Sequence, residues 1–243
     1  MRSEWIAGVD GCPGGWFVVL RRLDDPASAK ALIVRGFAEV IALPEAPLII
    51  AVDMPIGLPE RSMGGRRCDV EARAVLGQRQ SAVFAVPSRA AVMETDYRRA
   101  CEIAFASSEP PRMVAKQTFN LFPKIREIDA LMSPHLQERV VEVHPEVAFW
   151  ALNGGRPLDV AKKVKSRPHA PGLALRRDLL AAAGNDRAFL AAHPFRLADA
   201  GHDDLLDAVA CSWTAARIAA GTARRFPDDP PRDARGLRME IWG

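Results

Sequence analysis

Apolar and polar positions near the start of the chain predict three strands in direct succession. Apolar runs occupy residues 5–10 and 16–22, and the short loop GCPGG between them favours a hairpin. A third strand is expected within residues 31–41. Residues 48–52 are then continuously apolar, which is typical of a strand buried on both faces, and this run ends on Asp53.

The later pattern changes to helices that alternate with single strands. Residues 63–132 show no alternating runs and are predicted to be largely helical. The stretch RVVEVHPEV predicts a strand with Glu142 and His144 on one face, followed by a helix that Pro145 begins. A long amphipathic helix is expected over residues 203–220, and the final LRMEIW is expected to return to the body as an edge strand or hook.

This order of elements predicts an α/β fold with a mixed sheet flanked by helices. Three antiparallel strands come first, and parallel strands separated by helical stretches follow. We expect a single domain over residues 1–243, with a largely helical insertion or lid at about residues 63–132.

Composition narrows the class of protein only slightly. The chain has 243 residues, is 49% hydrophobic and 26% charged, and carries a net charge of +3, which permits a nucleic-acid partner without requiring one. Because it shows neither an apolar run of roughly 20 residues nor a secretory leader, we expect a cytoplasmic protein with no membrane partner. The four cysteines are scattered, so zinc-finger and disulfide frameworks are weak interpretations.

Acidic residues supply the candidate chemistry. Asp10 and Asp53 each follow a buried strand, and the carboxyl ends of strands in such sheets are where ligands bind. Asp204 and Asp207 are three residues apart and share one face of the last helix, whereas Asp203 is expected to be a cap or surface charge. Four such acids would repel one another without a cation, and oxygen ligands suit magnesium or manganese.

The motifs together resemble one known family. GVDGCPGGW, VDMPIGLP, RRCDVEAR, VFAVPSR, KQTFNLFPKIREID, EVHPEVAFWALNG and HDDLLDA are similar to those of domain-of-unknown-function family 429, described as predicted ribonuclease H-like nucleases. The late helix also resembles that of RuvC-type resolvases. The resemblance implies a ribonuclease H-like fold, metal ligation by Asp10, Asp53, Asp204 and Asp207, and metal-dependent phosphodiester hydrolysis of DNA or RNA.

Two departures from the resolvases stand out. Their acid on the fourth strand is typically Glu, where this chain has Asp53, and the stretch between Asp53 and Arg139 is long for a plain nuclease of this fold. A cap over the site would narrow the range of substrates.

Further candidates surround this acidic set. His144 and Glu146 are candidate catalytic residues if their strand ends beside the Asp53 strand; alternatively, His144 caps a turn and Glu146 is an ordinary acid in the first turn of a helix. Arg66 and Arg67 are candidate substrate ligands that could clamp a phosphate, or they belong to a solvated helix face. The basic residues that could contact a phosphate backbone are Lys124, Lys162 and Lys163, whereas a solvated face is expected for Lys165, Arg167, Arg176 and Arg177.

Two other functions stay open at this stage. A phosphotransferase of the actin-like ATPase class would need a second strand–hairpin unit with its own acidic turn, and residues 130–243 show no such pattern. A nucleic-acid-binding module that has lost catalysis is the other alternative, although a full set of four acids argues against decay. The sequence gives no oligomeric state.

Overall fold

A five-stranded mixed sheet forms the centre of the computed structural model, which describes residues 4–165 and 167–243. Its strands are β1 (Trp5–Cys12), β2 (Gly15–Arg22), β3 (Ala29–Val34), β4 (Ile50–Val52) and β5 (Val140–Glu142). Their spatial order is β3-β2-β1-β4-β5, in which β1–β3 pair antiparallel and β4 and β5 run parallel to β1. The predicted α/β fold, with a mixed sheet of antiparallel and then parallel strands, is confirmed and is consistent with a ribonuclease H-like fold.

Helices fill the long connection between β4 and β5. They are α2 (Arg67–Leu76), α3 (Arg89–Met93), α4 (Tyr97–Ala106), α5 (Lys116–Phe119) and α6 (Phe122–Leu131), with 3₁₀ turns at Gly77–Ala82 and Leu136–Glu138, and α1 (Phe37–Ile41) precedes β4. We refer to residues 63–132 as the insertion. The third strand spans Ala29–Val34, so it begins two residues before the predicted range of 31–41, and Phe37–Ile41 at the end of that range forms α1.

The chain after β5 covers the other side of the sheet. It forms α7 (Pro145–Leu152), β6 (Lys163–Val164), β7 (Arg167–Pro168), α8 (Ala170–Ala182), α9 (Arg187–Ala191) and α10 (His202–Ala219). The strands β8 (Arg225–Phe226) and β9 (Ile241–Trp242) then pair with each other. Trp242 also forms a bridge to Val143, so the C-terminal residues do return to the body beside β5.

Alternation along the strands divides the core into two layers. Ala7 and Val9 of β1 join the hydrophobic cluster that includes residues of the insertion. Ile6 points to the opposite face and joins the cluster that includes residues of α7, α8 and α10. Asp10 has the same parity as Ile6, and Asp53 has the same parity as Ala51 of that second cluster. Both acids are therefore directed to the side of the sheet that α10 covers.

Gly8 sets how closely α10 approaches the sheet. A Cβ atom at this position would lie 1.9 Å from the carbonyl oxygen of Ala208 and 2.2 Å from the backbone nitrogen of Ser212. Only glycine permits this contact between β1 and the middle of α10. Arg21 of β2 adds a hydrogen bond of 3.1 Å to the carbonyl of Ser212. The glycine therefore brings the start of α10 to the end of β1.

Two broader observations bear on function. Across residues 4–165 and 167–243 the five-stranded sheet is the only sheet with more than two strands, so the described chain offers no second strand–hairpin unit of the kind an actin-like phosphotransferase would need. None of the helices in that part of the chain has the length and apolar character required to span a membrane.

Candidate metal centre

Three acids from distant parts of the chain meet at the carboxyl ends of β1 and β4. Asp10, Asp53 and Asp207 each direct a carboxylate oxygen to within 4.8 Å of the other two. The backbone holds the first two in register, since the N–H of Asp53 donates to the carbonyl of Val9 at 2.9 Å. Asp207 comes from the second turn of α10, which Gly8 brings against β1. The group therefore rests on strands and a helix.

The donor set fits a hard divalent cation. All the converging atoms are carboxylate oxygens, the ligand type that Mg²⁺ prefers, and they lie within 4.8 Å of one another. Oδ1 of Asp207 is buried and accepts no hydrogen bond. A buried carboxylate oxygen without a partner is costly, and a cation would satisfy it. Asp10, Asp53 and Asp207 are thus the residues that could hold a metal ion.

The electrostatics of the three acids show how strongly they need positive charge. Burial raises the pKa of Asp10 well above its usual value, and the charges of Asp53 and Asp207 raise it further. Burial likewise raises the pKa of Asp53, and it raises that of Asp207 to about 7 with a contribution from Asp53. Without a cation, the three carboxylates therefore resist ionisation together.

Lys162 supplies the nearest positive charge from the chain itself. Its Nζ donates to Oδ2 of Asp207 and lies 4.0 Å from Asp203. Burial disfavours the charge on Lys162, but the carboxylates of Asp207 and Asp10 outweigh it and raise the pKa of the ammonium above its usual value. One lysine offsets only part of the charge of three acids. It leaves Oδ1 of Asp207 without a partner.

The first turn of α10 uses its other two acids differently from the prediction. Asp204, predicted to bind metal, turns back and accepts a hydrogen bond of 2.7 Å from the N–H of Gly201, closing a capping box. Its carboxylate is not part of the converging group. Asp203, expected to be a cap or surface charge, is instead buried and paired with Lys163 at 2.6 Å. The expectation for Asp203 was wrong, because Lys162 and Lys163 cover this turn.

His144 and Glu146 lie beside the centre, at the end of β5. Both ring nitrogens of His144 are engaged: Nδ1 accepts from the N–H of Glu146 and Nε2 faces the carbonyl of Ala82, each at 3.2 Å. Glu146 is buried and paired with Arg176 at 2.5 Å. Burial acts against that charge, but Arg176 lowers the pKa of Glu146 below its usual value. The expectation of a solvated Arg176 was wrong, because its side chain is fully buried against Glu146.

Arg66 has no donor free for a phosphate. Its guanidinium binds Glu142 through two hydrogen bonds of 2.5 and 2.7 Å and Asp69 through two of 2.7 and 3.1 Å. It also donates to the carbonyl of Ile56 at 3.0 Å. We call Arg66, Asp69 and Glu142 the buried ion network. It joins the insertion to β5, and Arg66 is therefore left out of the site that we propose.

The other two predicted substrate ligands, Arg67 and Lys124, have different surroundings. Arg67 is exposed and pairs with Glu71 at 2.9 Å, one turn along α2. Lys124 donates to the carbonyl of Gly15 at 2.5 Å, and its Nζ lies 4.4 Å from the centre of the Trp16 ring. The side chain of Lys124 also passes beside Gly11, because a Cβ atom added to Gly11 would lie 2.7 Å from Cδ of Lys124. Lys124 therefore borders the turn that follows Asp10, whereas Arg67 faces solvent.

Two cavities adjoin the acids and share Asp53, Ala82 and His144 in their walls. The first, about 270 Å³, is lined by Arg79, Lys162 and Lys163, and we call it the basic cavity. The second, about 170 Å³, has Asp10 and Asp53 on one side and apolar walls. We call it the apolar cavity; its apolar walls are Met54, Val83, Phe84, Val86, Leu121 and Ile241.

Arg79 is a site residue that the sequence did not indicate. It lies in the 3₁₀ turn Gly77–Ala82, where no periodic pattern marks a face, and its guanidinium is 3.7 Å from Glu146. A basic residue in an irregular stretch gives no signal of its own, because only the folded chain brings it to the same cavity as Lys162.

Comparison with known proteins identifies the family and leaves the activity open. No curated protein and no solved structure matches the chain. Residues 8–232 match the family model described as "Protein of unknown function (DUF429)". The match extends from the strand that carries Asp10 through the helix that carries Asp207, and the chain therefore belongs to the DUF429 family.

Proposed function

We propose that this protein is a divalent-metal-dependent phosphodiester hydrolase that acts on nucleic acid. The observation that carries the proposal is the convergence of Asp10, Asp53 and Asp207 beside a buried Asp207 oxygen that has no partner. Magnesium or manganese fits this set of oxygens. In the overall reaction a water oxygen forms a bond to phosphorus, the P–O bond to the leaving group breaks, and a phosphomonoester and a hydroxyl result.

The chain's own residues have distinct tasks in this reaction. The three carboxylates would hold the cation, which supplies a water of lowered pKa and polarises the phosphoryl oxygens. Arg79, Lys162 and Lys163 line the basic cavity beside Asp53 and would bind the phosphate groups that flank the scissile one. Lys162 would exchange its contact with Asp207 for a phosphate oxygen when a cation takes over the charge of that carboxylate.

His144 and Glu146 fit a positioning role. His144 caps α7 and lies in the wall of both cavities, and its two ring nitrogens already have partners. Glu146, held by Arg176, supports the basic side of the site through its approach to Arg79. We propose that these residues orient Asp53 and Arg79 without transferring a proton.

The test is hydrolysis of bis(p-nitrophenyl) phosphate and of single-stranded, duplex and junction DNA and RNA with Mg²⁺ or Mn²⁺. Wild type should cleave the simple diester and at least one nucleic acid, and Asp53→Asn should lose nearly all of this activity because a metal ligand is missing. Asp178→Asn is the matched control, because Asp178 is an exposed acid of α8 that pairs with Arg187. Equal activity of Asp53→Asn and Asp178→Asn would contradict the proposal.

A further inference from the structure

Asp10 and Asp53 line the apolar cavity, and most of its other lining residues are apolar. The insertion contributes much of the remaining lining, including Val83, Phe84 and Leu121. Nuclease chemistry at a phosphate needs charge, so a largely apolar cavity next to the carboxylates calls for a separate explanation. Cavities of this kind bind flat or apolar groups and orient them with few polar contacts.

The charged side chains beneath the cavity offer nothing to a ligand. Arg66, Asp69 and Glu142 also line it, but the donors and acceptors of these side chains are used within the buried ion network and on nearby backbone groups. The N–H of Val86 donates to Asp69 at 3.1 Å, which fixes the wall segment that carries Phe84 to this network. The cavity therefore has mainly apolar walls, and the charged side chains of the buried ion network that line it are already hydrogen-bonded within the protein.

Phe84 contributes an aromatic side chain to the wall of the apolar cavity. Its ring is half-buried, packs against the core cluster of the insertion, and lines both the apolar cavity and a neighbouring cavity of about 210 Å³. An accessible aromatic ring at the edge of a nucleic-acid site is a platform on which a base stacks, and this contact tolerates any base.

We propose that the apolar cavity binds one unstacked nucleobase, and that the substrate is therefore single-stranded nucleic acid. This inference rests on the proposed function, since it places the base next to a phosphate held by Asp10, Asp53 and Asp207. The cavity volume of about 170 Å³ is well below the roughly 300–1,000 Å³ of sites for drug-sized ligands, so it suits one ring system and excludes a stacked pair. The basic cavity across Asp53 then receives the neighbouring phosphates.

The walls explain why a duplex is disfavoured. A base can reach Phe84 only by leaving its stack, and extrusion from a duplex costs energy that a single strand does not require. Because the side chains of Arg66, Asp69 and Glu142 already use their donors and acceptors within the protein, they should not select among the four bases, which should bind with similar affinity. Selectivity would lie in strandedness and not in sequence.

The test measures binding, with Ca²⁺ or Mn²⁺ present, of a nucleoside 5′-monophosphate and of deoxyribose 5-phosphate, which lacks the base. Wild type should bind the nucleotide about tenfold or more tightly, and Phe84→Ala should reduce this preference while Phe84→Tyr retains it. Phe105→Ala is the matched control, because Phe105 is an exposed phenylalanine of the same insertion and does not line the cavity. Mn²⁺ affinity should be equal in all four proteins.

The outcomes separate this inference from the proposed function. Failure of wild type to bind Mn²⁺ would overturn the metal centre itself. Mn²⁺ binding with equal affinity for the two phosphates, or a Phe84→Ala variant as selective as wild type, would overturn only the base site. Binding of linear and circular single strands alike supports an internal base in the cavity, whereas binding of linear strands alone supports a terminal one. Tighter binding of duplex than of single strands would contradict the inference.

Discussion

The acids of the buried ion network and those of the candidate metal centre differ in how their oxygens are used. In the buried ion network, Asp69 and Glu142 receive hydrogen bonds from Arg66 and from backbone N–H groups of Ile56 and Val86. In the metal centre, Asp207 pairs with Lys162 through one oxygen and leaves the other without a partner. Burial of acids alone therefore does not indicate a functional site.

The two groups of acids should affect the stability of the protein in different ways. A complete network stabilises the fold only while all of its members are present, because removing one leaves another charge buried and unpaired. An incomplete cluster reduces stability and gains it back when a cation binds the folded state. Asp69 therefore belongs to a complete ion network, whereas Asp207 keeps an oxygen that a cation could bind.

Breaking the buried ion network should have the largest effect on stability. Arg66→Met leaves Glu142 and Asp69 without their main partner and should lower the free energy of unfolding by about 3–5 kcal/mol. Urea denaturation measures this change. Arg67→Met is the control, because Arg67 is an exposed neighbour, and its effect should stay within about 0.5 kcal/mol. A loss below about 1 kcal/mol for Arg66→Met would show that the network is not structural.

The pH dependence of stability should reveal the incomplete cluster. Asp207 has a folded pKa of about 7, above its unfolded value near 4, so the folded state binds more protons between these values. In chelator, the free energy of unfolding should therefore fall as pH rises from about 4 to about 7. Asp207→Asn should show a shallower fall, measured by urea denaturation across this range.

Glu142 also has a folded pKa above its usual value, so its titration changes the free energy of unfolding in the same direction as that of Asp207. Burial raises the pKa of Glu142 to about 7 against the opposing charge of Arg66, but it is present in both proteins and cancels in the comparison. Saturating Mn²⁺ should also remove much of the slope in wild type at neutral pH, because the metal competes with protons. Equal slopes for wild type and Asp207→Asn in chelator would contradict the electrostatic account.

The smallest expected change in stability is that of Asp204→Ala, and it tests whether Asp204 and Asp207, on the same face of α10, have different roles. Asp204→Ala removes the hydrogen bond to Gly201 and should cost about 1 kcal/mol of stability while changing Mn²⁺ affinity little. Asp207→Ala should abolish Mn²⁺ binding, since Asp207 is in the converging group. Isothermal titration and urea denaturation give the two quantities. Loss of Mn²⁺ binding in Asp204→Ala would place Asp204 among the ligands, as the sequence resemblance implied.

Sequence patterns located the strand-borne half of the site. Apolar runs that end in Asp10 and Asp53, on parallel strands, lead to one sheet edge because strand direction and alternation are local properties. The placements of Asp203 and Asp204 were not predictable in this way. Neighbouring positions on a helix are about 100° apart, so these two acids face different surroundings. Asp204 accepts a hydrogen bond from the N–H of Gly201, whereas Asp203 pairs with Lys163.

Partners that meet only in the folded chain also lay beyond the sequence. Arg66 and Glu142 are 76 residues apart, and nothing in RRCDVEAR distinguishes a phosphate clamp from a buried ion pair. The burial of Arg176 against Glu146 has the same origin. The apolar cavity is likewise a product of packing, since its walls combine strand ends, the insertion and Ile241 from the C-terminal strand.

Thermal melting of wild type and Asp10→Asn, each in chelator and in excess Mn²⁺, tests the metal centre most directly. In chelator, Asp10→Asn should melt at or above the wild-type temperature, because it removes one charge from mutually repelling acids. Mn²⁺ at about 100 times its Kd should raise the wild-type Tm by about 5–10 °C and leave Asp10→Asn nearly unchanged. A wild-type Tm indifferent to Mn²⁺, or an Asp10→Asn variant equally destabilised in both conditions, would contradict the account.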